Sequence, residues 1–226
     1  MIEIRDLQQS DHSQYVEFID SSIDYDYFKM RIEAPFYVPF IIADCSFIEE
    51  IYSDLNAVIM AEHNKKPFEV EGSHSYDKQL KQDITESAPN FHTNQDHSVQ
   101  KLFQWFNSTI EEARNKLNMK KSCEIYDSWF HVAKKGGYHN IHSHPGVPIA
   151  GIFYLNDGGS DIGNSFVNPI PGYVDHKSSP WCKQTFVSKA TKGRLVLFPG
   201  WILHSAMPHQ GDKLRIVLAF NTRYIN

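Results

Sequence analysis

The sequence predicts an α+β fold that is mainly β, with helices in its first part and a sandwich, jelly roll or small barrel in its second. Two observations carry this. Before about Lys120, apolar residues recur at steps of three and four, the period of a helix. After it, short apolar runs alternate with Gly, Pro, Asn and Asp, the signature of many short strands joined by turns. A third observation concerns what such a barrel would hold. Three of the chain's twelve histidines stand between His139 and His144.

Size and composition set the frame. The 226 residues suit one domain, with residues 1–121 as a helical support and loop and 122–226 as the β core. The chain is 41% hydrophobic and 22% charged, with mean hydropathy −0.43, which is ordinary for a soluble globular protein. A net charge of −5 argues against a broad phosphate-binding surface, so nucleic acid is not an expected partner. The first twenty residues carry several acids and no apolar core of a signal peptide. The longest apolar runs, such as Val147–Leu155, reach about half the roughly 20 residues a membrane span needs. Cys45, Cys123 and Cys182 are few and widely spaced, which is neither a disulfide framework nor a zinc ribbon. A reducing cytoplasm is the expected compartment.

Taken in order, residues 1–30 predict only weak helix. Ser46-Phe-Ile-Glu49 has the form of a capping box, after which Phe47, Ile51, Leu55, Val58 and Ile59 share one helical face. Residues 64–97 are polar and punctuated by Gly72 and Pro89, and predict a loop lying over the body or an opening. Val99, Phe103, Phe106, Ile110, Ala113 and Leu117 mark a second helix. Strands are expected at 122–132, 140–144, 149–156, 165–168, 184–188, 194–199, 201–207 and 214–223, with the helices on the outer face of one sheet.

If Ile141–His144 is extended, His142 and His144 point to one face and Ser143 to the other. Two imidazoles at that spacing can share a metal ion. His139 is out of phase with them, and with a backbone turn expected at Gly136-Gly137 it is assigned to a loop. A third ligand must come from a distant strand, and His204, after the Pro199-Gly200 bend, is the candidate. Imidazoles suit iron, zinc, copper or nickel, and three protein ligands leave coordination positions open. His131 faces either the cavity or the core. His12, His63, His74, His92, His97, His176 and His209 are assigned to loops or the surface.

The last strand, Leu214–Asn221, has one large apolar face. The other face is smaller and holds Arg215, Val217, Ala219 and Asn221. With a turn at 208–212, Arg215 and His204 can enter one cavity, where a guanidinium binds a carboxylate in bidentate fashion.

Trp129, His142-Ser-His144-Pro145, Ala150-Gly-Ile-Phe-Tyr154, Phe198-Pro-Gly-Trp-Ile-Leu-His204, and Arg215 through Phe220-Asn221 appear in that order. Over residues 122–223 the order resembles the Fe(II)/2-oxoglutarate-dependent oxygenases, and within them a small group from phages and marine bacteria. The resemblance implies a double-stranded β-helix, a jelly-roll barrel with helices outside. It implies Fe(II) on His142, His144 and His204, and the distal carboxylate of 2-oxoglutarate on Arg215, with Tyr154 hydrogen-bonded to the same carboxylate. It implies dioxygen as co-reactant, decarboxylation of the 2-oxo acid to succinate, and hydroxylation of a small-molecule or peptide side-chain substrate. Two departures stand out. The commonest triad has Asp or Glu where this chain has His144, so a carboxylate such as Asp157 or Asp175 is the alternative ligand. Val217 stands where Ser or Thr often follows the Arg. Loop 64–97 and the segment 157–182, with Tyr173 and Trp181, would shape the substrate mouth. The rivals are a cupin-type metalloenzyme, whose further Glu ligand is replaced here by Pro148-Ile149, and a non-catalytic jelly-roll binding module.

Overall fold

A computed structural model describes the backbone of residues 29–33, and residues 38–69, 81–169 and 184–225 in full. The predictions made for residues 1–28, for Asp175, and for Tyr173 and Trp181 at the mouth lie outside the described residues. The elements in chain order are β1 (Lys29–Glu33), β2 (Phe40–Asp44), α1 (Ile48–His63), β3 (Lys81–Glu86), α2 (His97–Lys116), β4 (Cys123–His142) and β5 (Ala150–Tyr154). They continue with β6 (Ile162–Val167), β7 (Thr185–Lys189), β8 (Arg194–Phe198), β9 (His204–Ala206) and β10 (Arg215–Tyr224).

Every strand pairing is antiparallel. One curled sheet runs β1-β2-β8-β5-β10-β4-β9-β6-β7, with β3 added along β4. The first part of β4 pairs with β10 and its last residues pair with β9, so this single long strand turns the sheet back on itself. The result is the jelly-roll half-barrel of a double-stranded β-helix, with α1 and α2 on one outer face.

Strand alternation divides the core into two layers. Phe130, Phe153, Leu195, Leu197, Leu218 and Phe220 point out of the barrel and meet Leu55, Ile59, Leu102 and Phe106 of the helices. Phe40, Ile152, Val196, Phe198 and Val217 point inward with Phe166. Leu55, Ile59, Phe106 and Phe153 are wholly buried, and each such side chain stabilises the fold by about 2–3 kcal/mol. Gly151 is required for this packing, because a Cβ there would lie 2.1 Å from the Phe220 ring that covers it.

The structure corrects four local expectations. Ser46 does not cap α1; Phe47 is the N-cap residue and no side chain bonds there. The Cys45 amide instead donates to the Gly193 carbonyl, holding the chain to the sheet until the helix begins. The working cap belongs to α2, where Asp96 accepts from the Ser98 amide. The first half is not only helical. β2 is the unbroken apolar run Phe40-Ile-Ile-Ala, which lacks a strand period because both its faces are buried. β3 lies within the segment assigned to loop, polar because it flanks β4 and carries charged side chains inward. Finally, Gly136-Gly137 does not end a strand. Residues 134–137 bulge from β4 opposite Asp83, with Gly136 at φ +83° and Gly137 packed against the Asp83 carbonyl.

Candidate metal centre

The bulges in β4 decide which side chains enter the barrel. Between His139↔Ala206 and His142↔His204 the register slips, two residues on β4, Asn140 and Ile141, facing one on β9, Ser205. A slipped register breaks the two-residue alternation, so His139 and His142 emerge on one face. Their rings stack at 3.8 Å between centroids. His139 is therefore a buried strand residue and not the loop residue its sequence phase predicts. His144 lies just beyond β4, tied down by its amide donating to the Gly200 carbonyl at 2.7 Å. Its ring runs nearly parallel to that of Trp129, 6.0 Å away.

His142, His144 and His204 converge. A ligand atom from each lies within 4.8 Å of the others, and among the described residues this is the group suited to hold a metal ion. The Nδ1–H groups of His142 and His204 donate to the carbonyls of Asn140 (2.8 Å) and Ile202 (2.9 Å). Those bonds fix the ring orientations and leave Nε2 as the lone-pair donor, the usual support of a metal-bound imidazole. Burial pushes His142 down to about 2, reinforced by His204, and burial pushes His204 down to about 4. Both rings are thus neutral at physiological pH, the state a metal ligand needs. Three imidazole nitrogens with room for further ligands would fit a borderline divalent ion such as Fe(II).

Arg215 lines the same cavity. It is 4% exposed. Its Nη atoms donate to the carbonyls of Ile162 (3.1 Å) and Met207 (3.2 Å), and its buried Nε–H has no partner. No carboxylate pairs with it among the described residues. A buried cation held only by carbonyls is costly unless an anion arrives.

The Tyr154 hydroxyl is wholly buried, close enough to Arg215 for the guanidinium to act on it, and makes its hydrogen bonds to other groups. It donates to Asn164 Oδ1 at 2.8 Å, accepts from the Asn164 amide at 2.9 Å, and lies 2.7 Å from Ser188 Oγ. Asn164, which the sequence reading passed over, lines the cavity. Asp157 caps the Gly159 amide in the turn after β5 and is not among the converging groups. His131 does face the cavity and bonds Glu86 at 2.5 Å, which in turn pairs with Lys81 at 2.5 Å. Of the histidines assigned to loops or the surface, His63 is a buried helix residue that bonds Thr85, and His209 lies in a loop but is buried, bonded to the Lys213 carbonyl.

Residues 127–221 match a family model described as "Putative 2OG-Fe(II) oxygenase", which covers less than half of the chain. No curated protein sequence matches it. Among solved structures, the carbocyclase SnoK from nogalamycin biosynthesis aligns over 89% of this chain and 84% of its own, at TM-score 0.61 and 12% identity. HygX from Streptomyces hygroscopicus, solved with nickel and 2-oxoglutarate, aligns over 82% and 83%, at TM-score 0.56 and 11% identity. A 2OG-Fe(II) oxygenase-family protein from Burkholderia pseudomallei aligns at TM-score 0.45 and 13% identity over 58% of each chain, so this chain spans under two thirds of that relative. At these identities the structural likeness establishes the fold.

Proposed function

We propose, from a barrel segment that matches the 2OG-Fe(II) oxygenase family model, that the protein is an Fe(II)- and 2-oxoglutarate-dependent oxygenase that hydroxylates an organic substrate. The observation that carries this reading is the buried, carboxylate-free Arg215 lining one cavity with three converging imidazoles. A diacid that chelates a metal through one end and meets a guanidinium at the other fits that pair.

In this reading His142 and His204 hold the iron through Nε2 together with a ring nitrogen of His144, and Arg215 binds the distal carboxylate. When bound, the iron and 2-oxo acid supply the oxidant, with dioxygen consumed and succinate and carbon dioxide released. The chain's own part is positioning and exclusion of water. The Asn140 and Ile202 carbonyls orient two ligands. Phe166 and Phe198, packed beside His204, keep that side of the centre dry. Val217 offers no hydroxyl, so Asn164 is the polar neighbour left to the cosubstrate, and Tyr154 acts through it as a positioning residue. The substrate in this reading is a small molecule or a peptide side chain.

The test is spectroscopic. Anaerobic protein loaded with Fe(II) and titrated with 2-oxoglutarate should develop a visible metal-to-ligand charge-transfer band. Arg215→Ala should weaken 2-oxoglutarate binding by about two orders of magnitude, the cost of removing one partner of a buried charge pair. Iron uptake with no response to the 2-oxo acid would overturn the reading in favour of a metalloenzyme of another kind.

A further inference from the structure

At the far end of the inner face from Arg215, three strands bring Ala150, Asn221 and Asp127 into one row. Ala150, Ala219 and Trp129 line the cavity, and strand alternation puts Asn221 and Asp127 on the same face, two residues beyond Ala219 and two before Trp129. Trp129 stands two residues from Asp127 on the same face of β4. Three polar atoms here are buried without a hydrogen-bond partner: Asp127 Oδ1, Asn221 Oδ1 and Trp129 Nε1. Asn221 is 6% exposed. Each unmade bond costs about 1–3 kcal/mol, and such a cluster in one place marks a site completed by something else.

The chemistry of the three atoms defines the missing group. Asn221 Nδ2 donates to Asp127 Oδ2 at 3.4 Å, which leaves the two Oδ1 atoms to accept from further donors, and one of them belongs to a carboxylate. No cation pairs with Asp127 among the described residues. Burial raises its pKa, opposed only in part by the Asn221 side chain and amide, the charge of His92 and the Tyr126 phenol. Arg223 is engaged by Glu124 at 2.7 Å. His92, whose charge acts on Asp127, has its own pKa lowered by burial and shares a 2.9 Å bond with Ser128. The indole N–H requires an acceptor. A bulge at Asn221/Thr222 leaves Tyr126 as the extra residue of β4 and brings its phenol beside Asn221 and Asp127.

We propose that Asp127, Asn221 and Trp129 form the substrate subsite, and that it takes a protonated nitrogen, an ammonium or guanidinium group, carried by a molecule with a nearby carbonyl or carboxylate. A basic amino acid, free or within a peptide, has that chemistry. The cation neutralises Asp127 and supplies donors to Asn221, while its carbonyl oxygen accepts from Trp129. Trp129 lies against His144, so the bound substrate stands beside the metal ligands. The inference rests on the oxygenase reading for its meaning, but its test does not.

The probes are L-arginine and L-lysine, each free and as the N-acetyl amide, with L-citrulline and L-norleucine in the same forms as uncharged counterparts. Binding to the full-length metal-free chain is measured by titration calorimetry, and repeated with Fe(II) and 2-oxoglutarate under nitrogen. At least one charged probe should bind about tenfold or more tightly than its uncharged counterpart, the scale of a buried charge pair. The form that binds distinguishes a free amino acid from a peptide. Asp127→Asn should abolish the preference, and Asp127→Glu should keep it. In the wild-type chain the charged probe should also raise the melting temperature, with no such effect from its counterpart. Equal affinity within each pair, no binding of any probe, or a preference surviving in Asp127→Asn would overturn the proposal. A missing 2-oxoglutarate band would overturn only the oxygenase reading.

Discussion

Arg215 and Glu86 illustrate opposite solutions to burying a charge. Arg215 is left with carbonyl partners and therefore suits an incoming anion. Glu86 is fully answered within the chain by Lys81 and His131. Burial raises its pKa, but the hydrogen bond and charge of His131 and the charge of Lys81 outweigh this and bring it to about 2. A carboxyl depressed in the folded state stabilises it above the unfolded pKa, and that stability is lost as pH falls through the folded value. Glu86→Gln should therefore cost about 3 kcal/mol near pH 7, where it strands a buried ammonium. The gap between variant and wild type should narrow as pH falls from about 4.5 towards 2. Urea unfolding across that range reads the effect, and a gap independent of pH would refute the assignment.

Among the elements, β4 does most to make the site. It spans both walls of the barrel, and its irregularities set which residues face inward. Strict alternation would send His139 and His142 to opposite faces; the slipped register stacks them. The sequence carries a sign of the first bulge in Gly136-Gly137, but the amount of slip depends on partners in β3 and β9 that only folding supplies. β5 depends on β10 in a similar way. Gly151 lies under the Phe220 ring, and Phe220 in turn packs on Phe106 of α2. Gly151→Ala should destabilise the chain by about 1–3 kcal/mol through overpacking, with Phe220 displaced. Thermal melting alongside the Phe220 ring resonances would check this, and an unchanged melting temperature would contradict the packing.

For the whole molecule, the layers share the work. Helices cover one face of the sheet, while the opposite face is left to enclose the cavity. No described helix is long and apolar enough to cross a membrane. Because the triad joins β4, its following segment and β9, a bound metal should resist unfolding of the whole barrel. Nickel, a redox-quiet stand-in, at about 100 times its dissociation constant should raise the melting temperature by roughly 5–10 °C. That rise should vanish in His204→Ala, and a rise that survives would place the metal elsewhere. What the sequence by itself determined was the material of the site: the histidine pair and its distant third, the cation on the small face of the last strand, and the two helical stripes. These are legible because alternation, helical period and residue chemistry are local properties. What the tertiary structure decided was convergence and exception. His139 entered the barrel, Tyr154 turned to Asn164 and Ser188, and strands β2 and β3 emerged from segments with no strand period. In each case the outcome depends on register and on partners far along the chain, and a linear pattern holds no record of either.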